Sequence, residues 1–311
     1  MSISNSVSNR AIVVVGSLLF VVVIYACFWP DGSATFFHLQ DEENSTIVYA
    51  TPKDELEVAL EGVSMKNKTL IIAILNKAYV QQNGMLDLFL ESFEEGEGTK
   101  FLIKHLLFVA VDQTSFNRCS TLELNCYKLV TEGVDFTNEV FYMSKEFIDM
   151  MWRRTLFLGE VLRRGYSYIF TDMDVLWLRN PFMKLNHDGE DLLMSSDFYN
   201  GNPFDDSNFF NTGFYFVIPN NKTVALFDEW YESRNNSTGK NDQEALLKMK
   251  REGVFRRLGL KVRYLDTTYF TGFCHKSKDF GKVITVHSNC CVGVKAKLTD
   301  LTAVLGAWKI K

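Results

Sequence analysis

The chain has 311 residues, 47% of them hydrophobic and 14% aromatic, which is ample for one large core and excludes an intrinsically disordered protein. Its formal net charge is −5, and an acidic balance argues against nucleic-acid binding as the main function, because such domains carry a basic excess. A phosphorylated small molecule held through a metal ion stays compatible with that charge.

The first predicted element is apolar. Residues 11–29, AIVVVGSLLFVVVIYACFW, carry no charge and suffice to cross a bilayer at about 1.5 Å rise per residue. Arg10 precedes the run and Asp31, Asp41, Glu42 and Glu43 follow it. The positive flank predicts residues 1–10 as a cytoplasmic tail and 11–29 as an uncleaved transmembrane signal anchor of a single-pass type II protein. A cleaved signal peptide, with Ala26 near its cleavage site, is the competing reading, but the run exceeds the ~7–15 residues usual for such a core. Sequons at Asn44, Asn67, Asn221, Asn235 and Asn236, the last two overlapping, are glycosylation candidates in a lumenal chain.

The cysteines point to the same compartment. Cys27 lies in the apolar run, Cys119 and Cys126 flank a short polar stretch, and Cys274, Cys290 and Cys291 gather near the carboxyl terminus. In an oxidising lumen the expected pairs are Cys119 with Cys126, and Cys274 with Cys290 or Cys291, leaving one odd thiol. A zinc site is the weaker reading, because no second closely spaced ligand pair accompanies them.

Residues 30–50 are polar and acidic and read as a stem, with the globular domain over 51–311. Pro52 opens a short amphipathic helix over 53–63. Residues 68–75 form a continuous apolar run of strand length, as in a parallel sheet buried on both faces. A helix over 85–94 carries Leu86, Phe89, Leu90 and Phe93 and closes at Gly96 and Gly98. A second strand over 106–111 ends at Asp112, and 127–130 reads as a third. A long helix over 145–164, capped by Ser144 and stopped by Gly165, feeds the strand-like run YSYIFT, which breaks into Asp172-Met-Asp174. This alternation predicts right-handed βαβ units and an α/β, Rossmann-type, mostly parallel sheet flanked by helices. Later strands are expected over 191–196, 212–218, 260–265 and 283–286, and helices over 225–233 and from Asn241, where Glu244 completes a capping box. There is no internal repeat, GxGxxG or P-loop run.

Two carboxylates one residue apart at the carboxyl end of a strand suit a hard divalent cation, and in such sheets ligands bind outside that end. Asp172 and Asp174 therefore predict a metal site for a phosphorylated donor. Both leave the same turn, so they do not flank a glycosidic bond from opposite sides as a glycoside hydrolase requires.

The blocks MSKEFIDMMWRRTLFLGEVLRRGY, IFTDMDVLWLRNPF, FFNTGFYFVIP, NDQEALL and VHSNCCVGVKAKL occur in that order. Together they resemble the plant nucleotide-diphospho-sugar transferases of glycosyltransferase family 77, from about residue 50 to the carboxyl terminus. The resemblance implies a GT-A-like fold, a type II Golgi anchor with a lumenal catalytic domain, and Mn²⁺- or Mg²⁺-assisted transfer from a nucleotide sugar, commonly UDP-linked. It also implies retention of configuration and transfer of a pentose such as xylose or arabinose to a cell-wall polysaccharide or glycoprotein. On that resemblance Asp172 and Asp174 hold the metal, Asp172 also nearing the donor's ribose, and His287, after the run Val283-Ile-Thr-Val286, is the third ligand. Lys297, or Lys295, is the expected diphosphate contact. Asn211, Gly213 and the pair Asp242-Gln243 surround the donor sugar, the pair being the catalytic candidates, as transient nucleophile or stabiliser; their alternative role is to serve a helix's first turn. Asn76 occupies the place of a nucleoside-base contact. Arg153, or its neighbour Arg154, reaches the donor or belongs to a solvated cationic face, and Trp177 and Phe182 read as packing, with stacking on an acceptor the lesser alternative for Trp177. A non-catalytic, transferase-like Golgi scaffold or glycan-binding protein is the alternative, and the presence of every block argues against it.

Overall fold

Strand β1 (Thr69–Leu75) sends its side chains into two different cores. Leu70 and Ile72 pack on one face with α1 (Glu55–Val63), while Ile71, Ala73 and Leu75 pack on the other with α2 (Met85–Glu95). Successive strand side chains point to opposite faces, so a wholly apolar strand must be covered on both. The result is a sheet between two layers of helices, seen here in a computed structural model that describes residues 53–129 and 144–310. The expected cytoplasmic tail, membrane anchor and stem, with Cys27 and Asn44, lie outside the described residues. Among those described, no helix is long and apolar enough to cross a membrane.

In chain order the main sheet takes β1, β2 (Leu106–Ala110), β3 (Cys126–Lys128), β4 (Ser167–Thr171), β6 (Leu192–Phe198), β7 (Phe209–Val217) and β8 (Val262–Tyr264). Its spatial order is β3-β2-β1-β4-β7-β6-β8. All neighbours are parallel except β7, which runs against both β4 and β6. The reversal follows from the connection: β6 and β7 are joined by a loop without a crossover helix, which permits only antiparallel pairing. A second sheet, β5-β10-β9, holds β5 (Val175–Trp177), β9 (Phe270–Gly272) and β10 (Thr285–His287). Strands β5 and β9 carry no sequence signal because three residues show no period.

The core on the α1 side is completed by α4 (Lys145–Arg163), α5 (Asn221–Glu232), α6 (Asp242–Arg251) and α7 (Val254–Arg257). Ser144 caps α4, its side chain accepting from the Phe147 N–H at 3.2 Å. Helix α5 starts four residues before the predicted position. The reason is local: Asn220 accepts from the N–H groups of Lys222 and Thr223, and the Thr223 hydroxyl accepts in return from Asn220 N–H at 3.0 Å. The opposite face is covered by α2 and by α8 (Val294–Lys309), which buries only the stripe Leu301, Leu305 and Trp308 and left little amphipathic trace in the sequence. Helix α3 (Gln113–Thr121) is largely polar, capped by Asp112, and tied to β3 by a Cys119–Cys126 disulfide. A second disulfide joins Cys274 and Cys290; Cys291 is a free thiol.

Trp177 anchors the second sheet. Its ring is fully buried, stacked 4.7 Å from Phe93, and donates from Nε1 to Thr171 Oγ1 at 3.3 Å. That burial leaves it no part in stacking on a ligand. Trp177→Ala is expected to lower stability by about 3–5 kcal/mol, the range for truncating a large buried aromatic, read as an earlier chemical-denaturation midpoint.

Candidate active site

The turn after β4 holds the two acids. Met173 between them is buried in the core, so Asp172 and Asp174 flank an apolar anchor on a short connection to β5. Strand β10 then pairs with β5 in a register that sets His287 against Val175, next to Asp174. His287 Nε2 lies 3.4 Å from Asp174 Oδ1 and 3.9 Å from Asp172 Oδ2. One ligand atom from each of the three residues falls within 4.8 Å of the others. Ser288 extends the clamp: its N–H donates to the Asp174 carbonyl at 3.1 Å and its hydroxyl to Asp174 Oδ2 at 3.0 Å.

Cations close the cluster from two sides. Lys297, on the first turn of α8, donates to Asp174 Oδ2 at 2.6 Å. Arg154, buried on α4 with its guanidinium 4.8 Å from the Phe170 ring centre, donates to Asp172 Oδ1 at 3.0 Å and to Asp242 Oδ2 at 2.5 Å. Arg153, one residue earlier, is half-buried and faces the side of Tyr127, whose phenol burial pushes up against the opposing charge of Arg153. The residue that meets the site carboxylates is thus Arg154 rather than Arg153.

These charges split the acids. Burial pushes the Asp172 carboxyl above its usual range, with Asp174 adding to the rise and Arg154 opposing it. Burial acts the same way on Asp174, but His287 and Lys297 outweigh it and hold that carboxyl well below the carboxylate range. For His287 burial disfavours the charge, yet Asp174 and Asp172 raise its pKa overall. The same charges reach Tyr79, whose phenol is raised by burial and by Asp174 and Asp172.

Gly213 lets the pieces meet. A Cβ there would fall 2.5 Å from Asp172 Oδ2, 2.4 Å from His287 Cε1 and 2.9 Å from Asn211 Oδ1, so no other residue fits without displacing the cluster. Its carbonyl accepts from Asp172 N–H at 2.7 Å, and its N–H donates to Asn211 Oδ1 at 2.7 Å.

A polar wall continues from Asn211. Asp197, at the end of β6, accepts from Asn211 Nδ2 at 3.0 Å, Gln243 Nε2 at 3.2 Å and Asn289 Nδ2 at 2.6 Å. Gln243 Oε1 accepts from Thr212 N–H at 3.0 Å and from its hydroxyl at 3.2 Å. A backbone N–H only donates, so the amide atom facing Thr212 must be oxygen, and the group turned toward Asp197 is the NH₂. Asp242 serves the first turn of α6 and is tied to Arg154 as well. Asn76, just past β1, is buried, accepting from Ala78 N–H at 3.1 Å and donating to Met150 Sδ at 3.7 Å.

The structure therefore brings Asp172, Asp174, His287, Lys297, Gly213, Asn211, Asp242 and Gln243 into one connected set. Sequence reasoning missed Asp197, Asn289 and Tyr79. Asp197 had a usable signal, since it ends the apolar run before it at a strand terminus, as Asp172 does; Asn289 had none.

Two carboxylates and an imidazole nitrogen converging on one point form a donor set that fits a divalent cation such as Mg²⁺ or Mn²⁺. The sequence profile described as nucleotide-diphospho-sugar transferase matches residues 101–301. The chain belongs to the nucleotide-diphospho-sugar transferase family. This glycosyltransferase is 50% identical over 295 residues to an uncharacterised protein of Arabidopsis thaliana, covering 93% of this chain and 88% of the relative. It is 26% identical over 230 residues to a beta-arabinofuranosyltransferase of Arabidopsis thaliana, covering 70% of this chain and 41% of that one. A UDP-D-xylose:L-fucose alpha-1,3-D-xylosyltransferase of Arabidopsis thaliana is 22% identical over 326 residues, covering 95% and 86%. Among solved structures, a galactosyltransferase in complex with donor and acceptor sugar analogues aligns at a TM-score of 0.45 and 14% identity, over 76% of this chain and 95% of that one.

Removing Arg154 would strand a buried carboxylate. Arg154→Met is expected to destabilise the transferase by about 3–5 kcal/mol, and the double variant Arg154→Met/Asp242→Asn should recover part of that loss, measured by denaturant unfolding.

Proposed function

We propose that this glycosyltransferase moves a sugar, a pentose, from a UDP-linked donor to a cell-wall polysaccharide or glycoprotein acceptor in the Golgi lumen. We infer a GT-A-like, metal-dependent enzyme that retains the anomeric configuration. The convergence of Asp172, Asp174 and His287, with Lys297 and Arg154 beside them, carries this reading.

A mixed carboxylate and imidazole set suits Mn²⁺, with Mg²⁺ the alternative. When bound, the ion supplies a Lewis acid that neutralises charge on the departing nucleoside diphosphate. The chain's residues would do the rest. Lys297 offers a compact cation to the diphosphate. Asp172 would near the ribose, and Asn76 lies at the same end of the sheet, where a base would be held. Asn211 and Gly213 would bound the donor sugar. Both lone pairs of Gln243 Oε1 are engaged by Thr212 and Asp242 is paired with Arg154, which supports an orienting role for this pair over that of a nucleophile.

The pentose reading draws support from the arabinofuranosyl and xylosyl relatives. A lumenal setting agrees with two disulfides and with sequon asparagines 67, 221, 235 and 236 lying exposed on the surface. The anchor over 11–29 would hold the domain at the membrane, with 1–10 cytoplasmic and 30–50 as stem.

A nucleotide-sugar panel read out by nucleoside-diphosphate release tests the proposal. Activity with a UDP-pentose should disappear on chelation and return with Mn²⁺. Asp174→Ala should lower kcat by about 10²–10³-fold, the loss expected for several kcal/mol of electrostatic stabilisation; unchanged turnover in either case would sink the metal mechanism. The metal requires the neutral imidazole, and the His287 pKa is raised above 6.5. Metal affinity should therefore climb with pH above 6.5, by up to about tenfold per unit, and level off once His287 is deprotonated. Titration calorimetry at several pH values measures this.

A further inference from the structure

Phe198 and Phe209 are large aromatic side chains left in solvent, 57% and 41% exposed. They are cross-strand partners at the adjoining ends of β6 and β7, where the register shifts after Ser196. The Phe198 ring is stacked on the His275 imidazole, with centroids 5.3 Å apart and planes within 14°. Single exposed apolar residues need no explanation, whereas a paired, backed aromatic surface marks a contact site.

Its place is fixed by the same residues that build the polar wall. Asn289 donates to Asp197, the neighbour of Phe198, and accepts from the N–H of Cys274, the neighbour of His275, at 3.1 Å. Tyr199 N–H donates to His275 Nδ1 at 3.2 Å. The Cys274–Cys290 disulfide closes this loop. Because β6 runs parallel to β4, Phe198 emerges at the sheet edge that carries Asp172. Asp197 accepts three amide N–H groups. A carboxylate has about four lone-pair sites, so one remains for a further donor.

An aromatic face beside a carboxylate with spare accepting capacity matches a sugar ring, which offers C–H groups on one face and hydroxyls on its rim. We propose that Phe198, backed by His275 and flanked by Phe209, is the platform on which the acceptor's sugar ring stacks, with Asp197 taking one of its hydroxyls. This rests on the glycosyl-transfer reading and names the acceptor side of that site as a carbohydrate rather than a bare polypeptide.

The full chain in detergent, with UDP and Mn²⁺, is titrated with arabino-, xylo- and galacto-oligosaccharides and, separately, with a hydroxyproline-containing peptide. The platform requires that at least one oligosaccharide binds. Phe198→Ala should weaken that binding about tenfold, the equivalent of one aromatic stacking contact, with UDP affinity unchanged, and Phe198→Trp should preserve it. Binding of the peptide alone, of no oligosaccharide, or with equal affinity to Phe198→Ala would overturn the platform while leaving UDP binding intact. Failure to bind UDP at all would overturn the transfer reading and the platform with it.

Discussion

The site depends on one buried cation. Arg154 stands between Asp172, at the end of β4, and Asp242, at the start of α6, and donates to both. Taking a guanidinium out of water is unfavourable by several kcal/mol unless carboxylates compensate it, and Asp242 faces the same penalty without the arginine. Each group is therefore tolerable only because the other is present. The pairing couples the metal-type acids to the Asp242-Gln243 turn and fixes where α6 begins relative to the sheet.

Charge balance extends the same logic across the cluster. Asp172, Asp174 and Asp242 converge, with Arg154, Lys297 and a histidine of raised pKa set among them. Like charges this close repel, so the fold has to recruit cations from distant parts of the chain. Strand β10 supplies His287 through its register with β5, and the first turn of α8 supplies Lys297. The small second sheet thus holds a function that the main sheet alone lacks.

Much of this was readable in advance, for identifiable reasons. The buried strands β1, β2 and β4 announce themselves as apolar runs, and Asp172, Asp174 and His287 each follow such a run at its carboxyl end. Lys297 became a candidate through family resemblance alone, since α8 gave little periodic signal. Arg153 falls on the stripe of Glu146, Asp149, Glu160 and Arg163, which helical spacing marks as the solvent side, while Arg154 lies about 100° off it, so the period itself could have told the two arginines apart. The reversal of β7, the short strands β5 and β9 and the Asn289 bridge depend on tertiary pairing that no local pattern records. Gly213 was picked out by its block; that its missing side chain is a steric requirement appears only once Asp172 and His287 surround it.

Lys297 meets Asp174 across 123 positions of sequence, and Ser288 meets it across 114. Bringing such distant segments together carries a loop-closure entropy that only the finished tertiary structure repays. Arg154 lies only 18 positions before Asp172, whereas Asp174 draws its cations from the far end of the chain. The charge cluster is therefore complete only when the carboxyl-terminal segment has docked, so whatever binds there reads out a fully folded molecule.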